Sequence, residues 1–461
     1  MRIVVIGGVA AGMSAASQAR RRDPGCEVVV LDRGHDISYS ACGMPYNIGD
    51  PSRGLDDLVI LSAETARSER GIDVRTRHAA QAIDVSRRVV QVADLEAGSN
   101  YTLTWDALVI ASGATAVRPA APGLDLAGVF VLRDLADARH IKRYLADVKV
   151  STAVIVGAGY IGIEMADVLH GLGIAVSILE KADQVLPGFA PAIVDVATHA
   201  LERNGVRVQT AASLQRVQRE GGDLLVHSDR GVIRAQIVIV AVGVRPDVAL
   251  AREAGIALGA SGAIAVDSAM RTSAACVFAA GDCAEAHHLV LDRPSWIPLG
   301  TTANKQGKLA GANAARAAGA AGASGGDLHF GGIVGSAGFK CFDLEVARTG
   351  LGSSEIAHAG LDAVAAVSTH HTRARSYPGD KPITTVVYAE RGSGRLLGAQ
   401  MIGGEAVAKR IDVFATALHA RMTLAQVEAL DLTYAPPFAP VYDAILIAAS
   451  VGVKALAKPR R

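Results

Sequence analysis

The sequence predicts an α/β fold in which one βαβ-based domain is interrupted by a second of the same design, followed by an α+β domain of different texture. Three observations predict it. RIVVIGGVAAG, starting at Arg2, returns as TAVIVGAGYIG, starting at Thr152. Each copy runs through an Ala-rich helical stretch into a second apolar strand that ends in an acid, VVVLD at Asp32 and VSILE at Glu180, which is the βαβ pattern written twice. Beyond residue 326 the glycine fingerprint is gone, and alternating strands around LEVARTG, ITTVVYAE and LLGAQMIGG lead into helical patterns.

The chain has 461 residues, too many for one ordinary core, so two or three domains are expected. Lys plus Arg number 46 against 45 Asp plus Glu, so no global field draws the protein to nucleic acid or an anionic membrane, and any anion site must be local. Gly is abundant at 49 while aromatics make up only 4%, a balance suited to tight βα turns rather than base-stacking platforms. Only Arg2 precedes the first apolar run whereas Arg20, Arg21 and Arg22 follow it, the wrong order for a secretory leader. No apolar stretch approaches the roughly 20 residues that span a bilayer, so a soluble protein is expected. Cys26, Cys42, Cys276, Cys283 and Cys341 form no CxxC pair, which argues against a disulfide framework or zinc knuckle and for a reducing cytoplasm.

After its βαβ unit each copy continues into a segment of hairpin character, RVVQVADLEAGSNYTLTWDA and LLVHSDRGVIRAQ. Each then closes with an apolar strand into a glycine: ALVIASGATAVRP, holding Ser112 and Gly113, and IVIVAVGVRPD, holding Gly243. TSAACVFAAGDCAEA reads as a return strand ending at Gly281 and Asp282. A Gly/Ala-rich link over 317–327 sets a boundary near 326. The expected domains are therefore 1–115 with 246–325, then 116–245, then 326–461, with no further domain after the final KALAKPRR.

Glycine lets the backbone approach a pyrophosphate, the following helix N-terminus supplies N–H donors, and the strand-end acid accepts from ribose hydroxyls. Two copies in this context imply two dinucleotides. The first uses Gly7, Ala10, Gly12, Asp32 and Arg33, with Val9 in the second glycine place. The second has Gly157, Gly159 and Gly162, with Tyr160 and Ile161 between, and ends at Glu180 and Lys181. A carboxylate at Glu180 repels a 2′-phosphate and favours NADH, a preference that Lys181 softens. The adjacent pairs His287/His288 and His370/His371 lack the i, i+4 spacing of a helical metal site, so no metal is expected.

GGVAAG, ASGATAVRP, GAGYIG, AVGVRPD and AAGDCAE stand in an order that resembles the pyridine nucleotide-disulfide oxidoreductases of the glutathione-reductase type, over residues 1 to about 325. The resemblance implies two Rossmann-like dinucleotide-binding domains plus an α+β C-terminal dimerisation domain, and hence a homodimer. It places FAD in the first domain and NADH or NADPH in the second. It also implies that Asp282, with Thr302 and Ala303 beyond it, lies along the flavin, that Tyr160 is the aromatic gate over the flavin, and that Glu164 is the acid beside the nicotinamide.

The paired redox cysteines of disulfide reductases are absent, and Cys42 stands alone in SYSACGMPYNIGD. This motif is similar to the single-cysteine group of coenzyme A disulfide reductases, NADH oxidases and persulfide reductases. A lone thiolate must cycle through a mixed disulfide with an external thiol, a persulfide or a sulfenic acid. If Cys42 opens a helix, its pKa falls and the thiolate is populated at neutral pH. LTYAPPFAPVYDAI resembles the element whose tyrosine reaches the partner subunit's active site, which puts Tyr434 there; SYPG, with Ser376, supplies Tyr377 by the same resemblance. Ser14, Gln18, Arg21 and Ser38 match coenzyme A contacts, while Ala41 replaces an Asn before the cysteine. The expected function is reduction of coenzyme A disulfide or persulfide through Cys42, with coenzyme A held there as a mixed disulfide. The rivals are a water-forming NADH oxidase using a sulfenic acid, and a non-catalytic flavoprotein redox sensor.

Overall fold

The computed structural model describes residues 1–319 and 326–459, so most of the expected Gly/Ala link lies outside the described residues. The two βαβ copies become two five-stranded parallel sheets. The first runs Val277–Ala279, Ala107–Ile110, Arg2–Ile6, Glu27–Leu31, Asp73–Arg75, so the return strand completes the sheet at one edge. The second runs Val129–Phe130, Ile237–Val240, Thr152–Val156, Ala175–Leu179, Arg207–Gln209. Its edge strand therefore comes from before the repeat, whereas that of the first comes from long after it. The central strands are Val/Ile/Leu-rich and buried almost throughout, because helices cover one face of each sheet and residues of the hairpin segments, such as Val90, Val92 and Leu103 or Val217, Leu224 and Val226, cover the other.

The hairpin segments form two three-stranded antiparallel sheets. The ASGATAVRP and AVGVRPD motifs pair with each other, Ala114–Ala116 running antiparallel to Val244–Pro246, so the two passages between the parallel sheets form one ribbon. The C-terminal part is a five-stranded antiparallel sheet, Ala337–Cys341, Leu344–Gly350, Leu396–Gly403, Pro382–Glu390, Ala363–His371, covered by Val407–His419 and Ala444–Leu456.

One helix pair positions the site. Ala10–Arg22 packs along Gly300–Ala317, where a Cβ on Gly307 or Gly311 would lie 2.2 or 2.1 Å from the carbonyl oxygens of Ala11 and Ala15. Two glycines one turn apart thus let the backbones touch. At the same end Gly281, at φ 83°, sits against Ala11 and Ala303.

Candidate active site

The two glycine turns are built alike. Gly7 and Gly157 have φ of 101° and 105°, and Cβ atoms there would strike the carbonyl oxygens of Ala111 and Ala241. Cβ atoms on Gly12 and Gly162 would lie 1.7 and 2.0 Å from the carbonyl oxygens of Gly7 and Gly157. The middle position differs, because a Cβ on Gly159 meets nothing within 4 Å, which explains how Val9 fits the equivalent place. Neither following helix has a side-chain N-cap, so the first-turn N–H groups of Ala10–Arg22 and Tyr160–Gly171 are left for an anion. The strand-end acids also match. Asp32 accepts from Gly8 and Gly34 N–H at 2.6 and 2.7 Å, and Glu180 from Ala158 and Ala182 N–H at 2.6 and 2.7 Å. Burial pushes the Asp32 carboxyl up. These residues fit a dinucleotide in each unit.

A cleft beside the first turn is lined by Gly7, Val9, Asp32, Arg33, Ser112 and Gly113. Ser112 Oγ donates to the Asp247 carbonyl at 2.7 Å, and Arg33 pairs with the Asp247 carboxylate at 3.4 Å. Sequence reasoning missed Arg133 here. It lines the same cleft, donates to Asp282 at 3.0 Å and to the Ala114 carbonyl at 2.7 Å, and no motif around it marks it. Thr302 and Ala303 are buried in the first turn of Gly300–Ala317, while Gly243 (φ 107°) and the exposed Lys181 lie by the second unit's strand ends.

Cys42 is exposed, in the short turn Ala41–Gly43 ahead of the helix Met44–Ile48. Protein packed around the sulfur and the carboxylates of Glu164 and Asp282 push its thiol up, with Arg133 opposing. This overturns the expectation of a lowered pKa. The turn is three residues long and carries no substantial dipole, so burial of the sulfur, and after it the two carboxylates, outweigh it. Glu164 projects from Tyr160–Gly171 and accepts from the Tyr46 hydroxyl at 2.6 Å; burial pushes its carboxyl up. Tyr46 stands in the CGMPY run, and no local sequence signal marks it for this contact. Ile161 is exposed, whereas Tyr160 stacks on Phe339 of the C-terminal domain with centroids 4.8 Å apart.

On the first helix, Ser14 Oγ donates to Asn304 at 2.8 Å and Gln18 accepts from Arg21 at 2.9 Å, so Ser14, Gln18 and Arg21 share one side. Arg20 turns away to the Cys26 carbonyl at 2.7 Å. Ser38 holds a left-handed φ of 45° and donates its N–H to the Gly8 carbonyl, tying it to the glycine turn. The loops that carry Tyr377 and Tyr434 are joined, Ala374 N–H donating to the Pro436 carbonyl at 3.3 Å. Arg373 lies over the Tyr377 ring. Among the described residues neither tyrosine shares a hydrogen bond or ring contact with the Cys42 turn, and Tyr434, Phe438, Val441 and Tyr442 are exposed. Beneath them the buried Arg410 pairs with Asp443 at 2.9 Å and donates to the carbonyls of Thr372 and Phe438. Cys26, Cys283 and Cys341 are buried and Cys276 half-buried.

Residues 1–319 match the model of the pyridine nucleotide-disulphide oxidoreductase family, and residues 336–444 that family's dimerisation domain. The chain is 36% identical over 451 residues to the NAD(P)H coenzyme A polysulfide/persulfide reductase of Pyrococcus horikoshii, covering 98% of each. It is 33% identical to an NADH oxidase of Methanocaldococcus jannaschii, covering 99% of each. The solved structure of an NAD-dependent persulfide reductase from A. fulgidus superimposes with a TM-score of 0.93 at 35% identity, over 98% of this chain and 83% of that one. No described helix is long and apolar enough to cross a membrane. With two dinucleotide turns, a flavin-type cleft and matches over both halves, the chain belongs to the pyridine nucleotide-disulphide oxidoreductase family, as an NAD(P)H-dependent flavoprotein enzyme.

Proposed function

We propose that this enzyme binds FAD and NAD(P)H and reduces coenzyme A disulfide or a coenzyme A persulfide through Cys42. The observation that carries the reading is that Cys42 is the exposed cysteine, beside Glu164 and Asp282, while the others are buried or half-buried. All the cysteines are free, so disulfide exchange at Cys42 takes an external sulfur.

When bound, FAD and NAD(P)H supply two-electron transfer. The chain's own groups do the rest. The glycine turns and uncapped helix ends hold the two pyrophosphates, Asp32 and Glu180 accept from ribose hydroxyls, and Asp282 takes the flavin's ribityl chain. Residues 1–115 and 246–325 form the FAD half, 116–245 the nicotinamide half, and 326–461 the homodimer domain. The Cys42 thiolate attacks one sulfur of R–S–S–R, expelling R–S⁻ and forming Cys42–S–S–R. Two electrons from NAD(P)H then break that bond and a proton completes the second thiol, so R–S–S–R, NAD(P)H and H⁺ become two R–SH and NAD(P)⁺. A second copy's exposed Tyr434 or Tyr377 is the proton donor to the departing thiolate, and Ser14, Gln18, Arg21 and Ser38 face the coenzyme A moiety.

The test is anaerobic NAD(P)H oxidation with coenzyme A disulfide, counting thiols, for wild type and Cys42→Ser. Two thiols per NAD(P)H, lost in Cys42→Ser, support the reading, and thiol release that survives the substitution rejects it. Turnover only in air points instead to the water-forming oxidase, and negligible turnover with every acceptor to a redox sensor.

A further inference from the structure

The helix Leu135–Asp147 sends cations into the Cys42 region. Arg139 pairs with Asp36 at 3.0 Å, and Lys142, one helical turn on, reaches the end of the helix that follows Cys42. There its ammonium meets four oxygens: the Asn47 carbonyl at 2.7 Å, Asn47 Oδ1 at 3.0 Å, the Asp50 carbonyl at 3.0 Å and the Arg53 carbonyl at 2.8 Å. Asn47 is buried, and its amide N–H donates to the Gly54 carbonyl at 2.8 Å. The turn thus points oxygens of residues 47, 50 and 53 at one cation. The Asn47 carbonyl lies in the last turn of Met44–Ile48, where a positive charge also complements the helix dipole.

We propose that Lys142 is the positioning residue for Cys42, its caged ammonium clamping residues 47–53 and thereby fixing the short helix whose other end presents the thiol. The other anchors of residues 50–53 are local, with Ser52 donating to Asp50 and Arg53 pairing with Asp57, so they do not tie the turn to another domain. Tyr46 holds its flank through Glu164, and Gly43 packs on Leu58, but neither contacts residues 50–53. Without the ammonium, Asn47 Oδ1 and the Arg53 carbonyl lose this donor, and the Asn47 and Asp50 carbonyls keep only the backbone N–H groups of Asp50 and Arg53, each at 3.2 Å, so the turn loosens. Arginine cannot replace it, because a planar fork does not place its donors at the centre of such a cage.

The proposal rests on Cys42 being the working thiol, and the test separates the two. Holoenzymes of wild type, Lys142→Ala, Lys142→Arg and Cys42→Ser are compared anaerobically for flavin bleaching by NADH and for thiol release from coenzyme A disulfide. In Lys142→Ala and Lys142→Arg, thiol release is expected to fall about tenfold to hundredfold, the scale of a misplaced reacting group, while flavin bleaching is unchanged. Ammonium chloride, but not tetramethylammonium chloride, is expected to restore part of the Lys142→Ala rate. Selective loss or ammonium recovery upholds the proposal. Wild-type thiol release in Lys142→Ala, or equal loss of both half-reactions with no ammonium recovery, overturns it. Thiol release that persists in Cys42→Ser removes the reading of Cys42 itself.

Discussion

The Tyr46 phenol donates to the Glu164 carboxylate at 2.6 Å, joining the segment that carries Cys42 to the helix that opens the second glycine turn. Glu164 is also, after burial, the largest influence raising the Cys42 thiol. Glu164→Gln removes that negative charge and should shift the midpoint of Cys42 alkylation to lower pH, because a thiolate forms more readily without a carboxylate nearby. The iodoacetamide rate measured against pH for wild type and Glu164→Gln checks it. An unmoved or raised midpoint would contradict the assignment.

The glycine positions are unequal. Gly12→Ala places a Cβ against the Gly7 carbonyl, and overpacking of this kind should destabilise by about 3 kcal/mol or more. Gly159→Ala enters open space at a helix N-cap and should cost about 1 kcal/mol or less. Thermal melting of the two variants beside wild type measures both.

His288 is buried, and its Nδ1 accepts from the N–H groups of Val290 and Leu291 at 3.2 and 3.3 Å, a role open only to the neutral ring. Burial pushes its pKa from 6.5 down to about 4. The unfolded chain therefore binds the extra proton first, and stability present above pH 6.5 is lost as pH falls toward 4, by about 3 kcal/mol. Urea unfolding of wild type across that window, against His288→Gln, should show the loss only where the histidine is present.

Arg410 is the hub beneath the tyrosine loops. Arg410→Met leaves Asp443 buried and unpaired and frees the Thr372 and Phe438 carbonyls, so a loss of about 3 to 5 kcal/mol is expected. Amide exchange over 372–378 and 434–443 should accelerate more than exchange in the parallel sheets. Uniform acceleration would mean that Arg410 supports the fold at large rather than these loops.

The duplication, the glycine turns, the strand-end acids and the lone Cys42 were legible in the sequence because each is a local signal. A positive φ or a close backbone approach demands glycine at Gly7, Gly12, Gly157 and Gly162, and buried parallel strands demand β-branched runs. The return strand at Val277–Ala279 could be read for the same reason. The tertiary structure alone decided the contacts between distant residues: Arg133 with Asp282, Tyr46 with Glu164, Lys142 with the 47–53 turn, and the Tyr377 loop against the Tyr434 loop. It also reversed the sign expected for the Cys42 pKa. A helix-start rule sees only neighbours in the chain, whereas the thiol is pushed up first by the burial that tertiary packing imposes and then by carboxylates more than a hundred residues away.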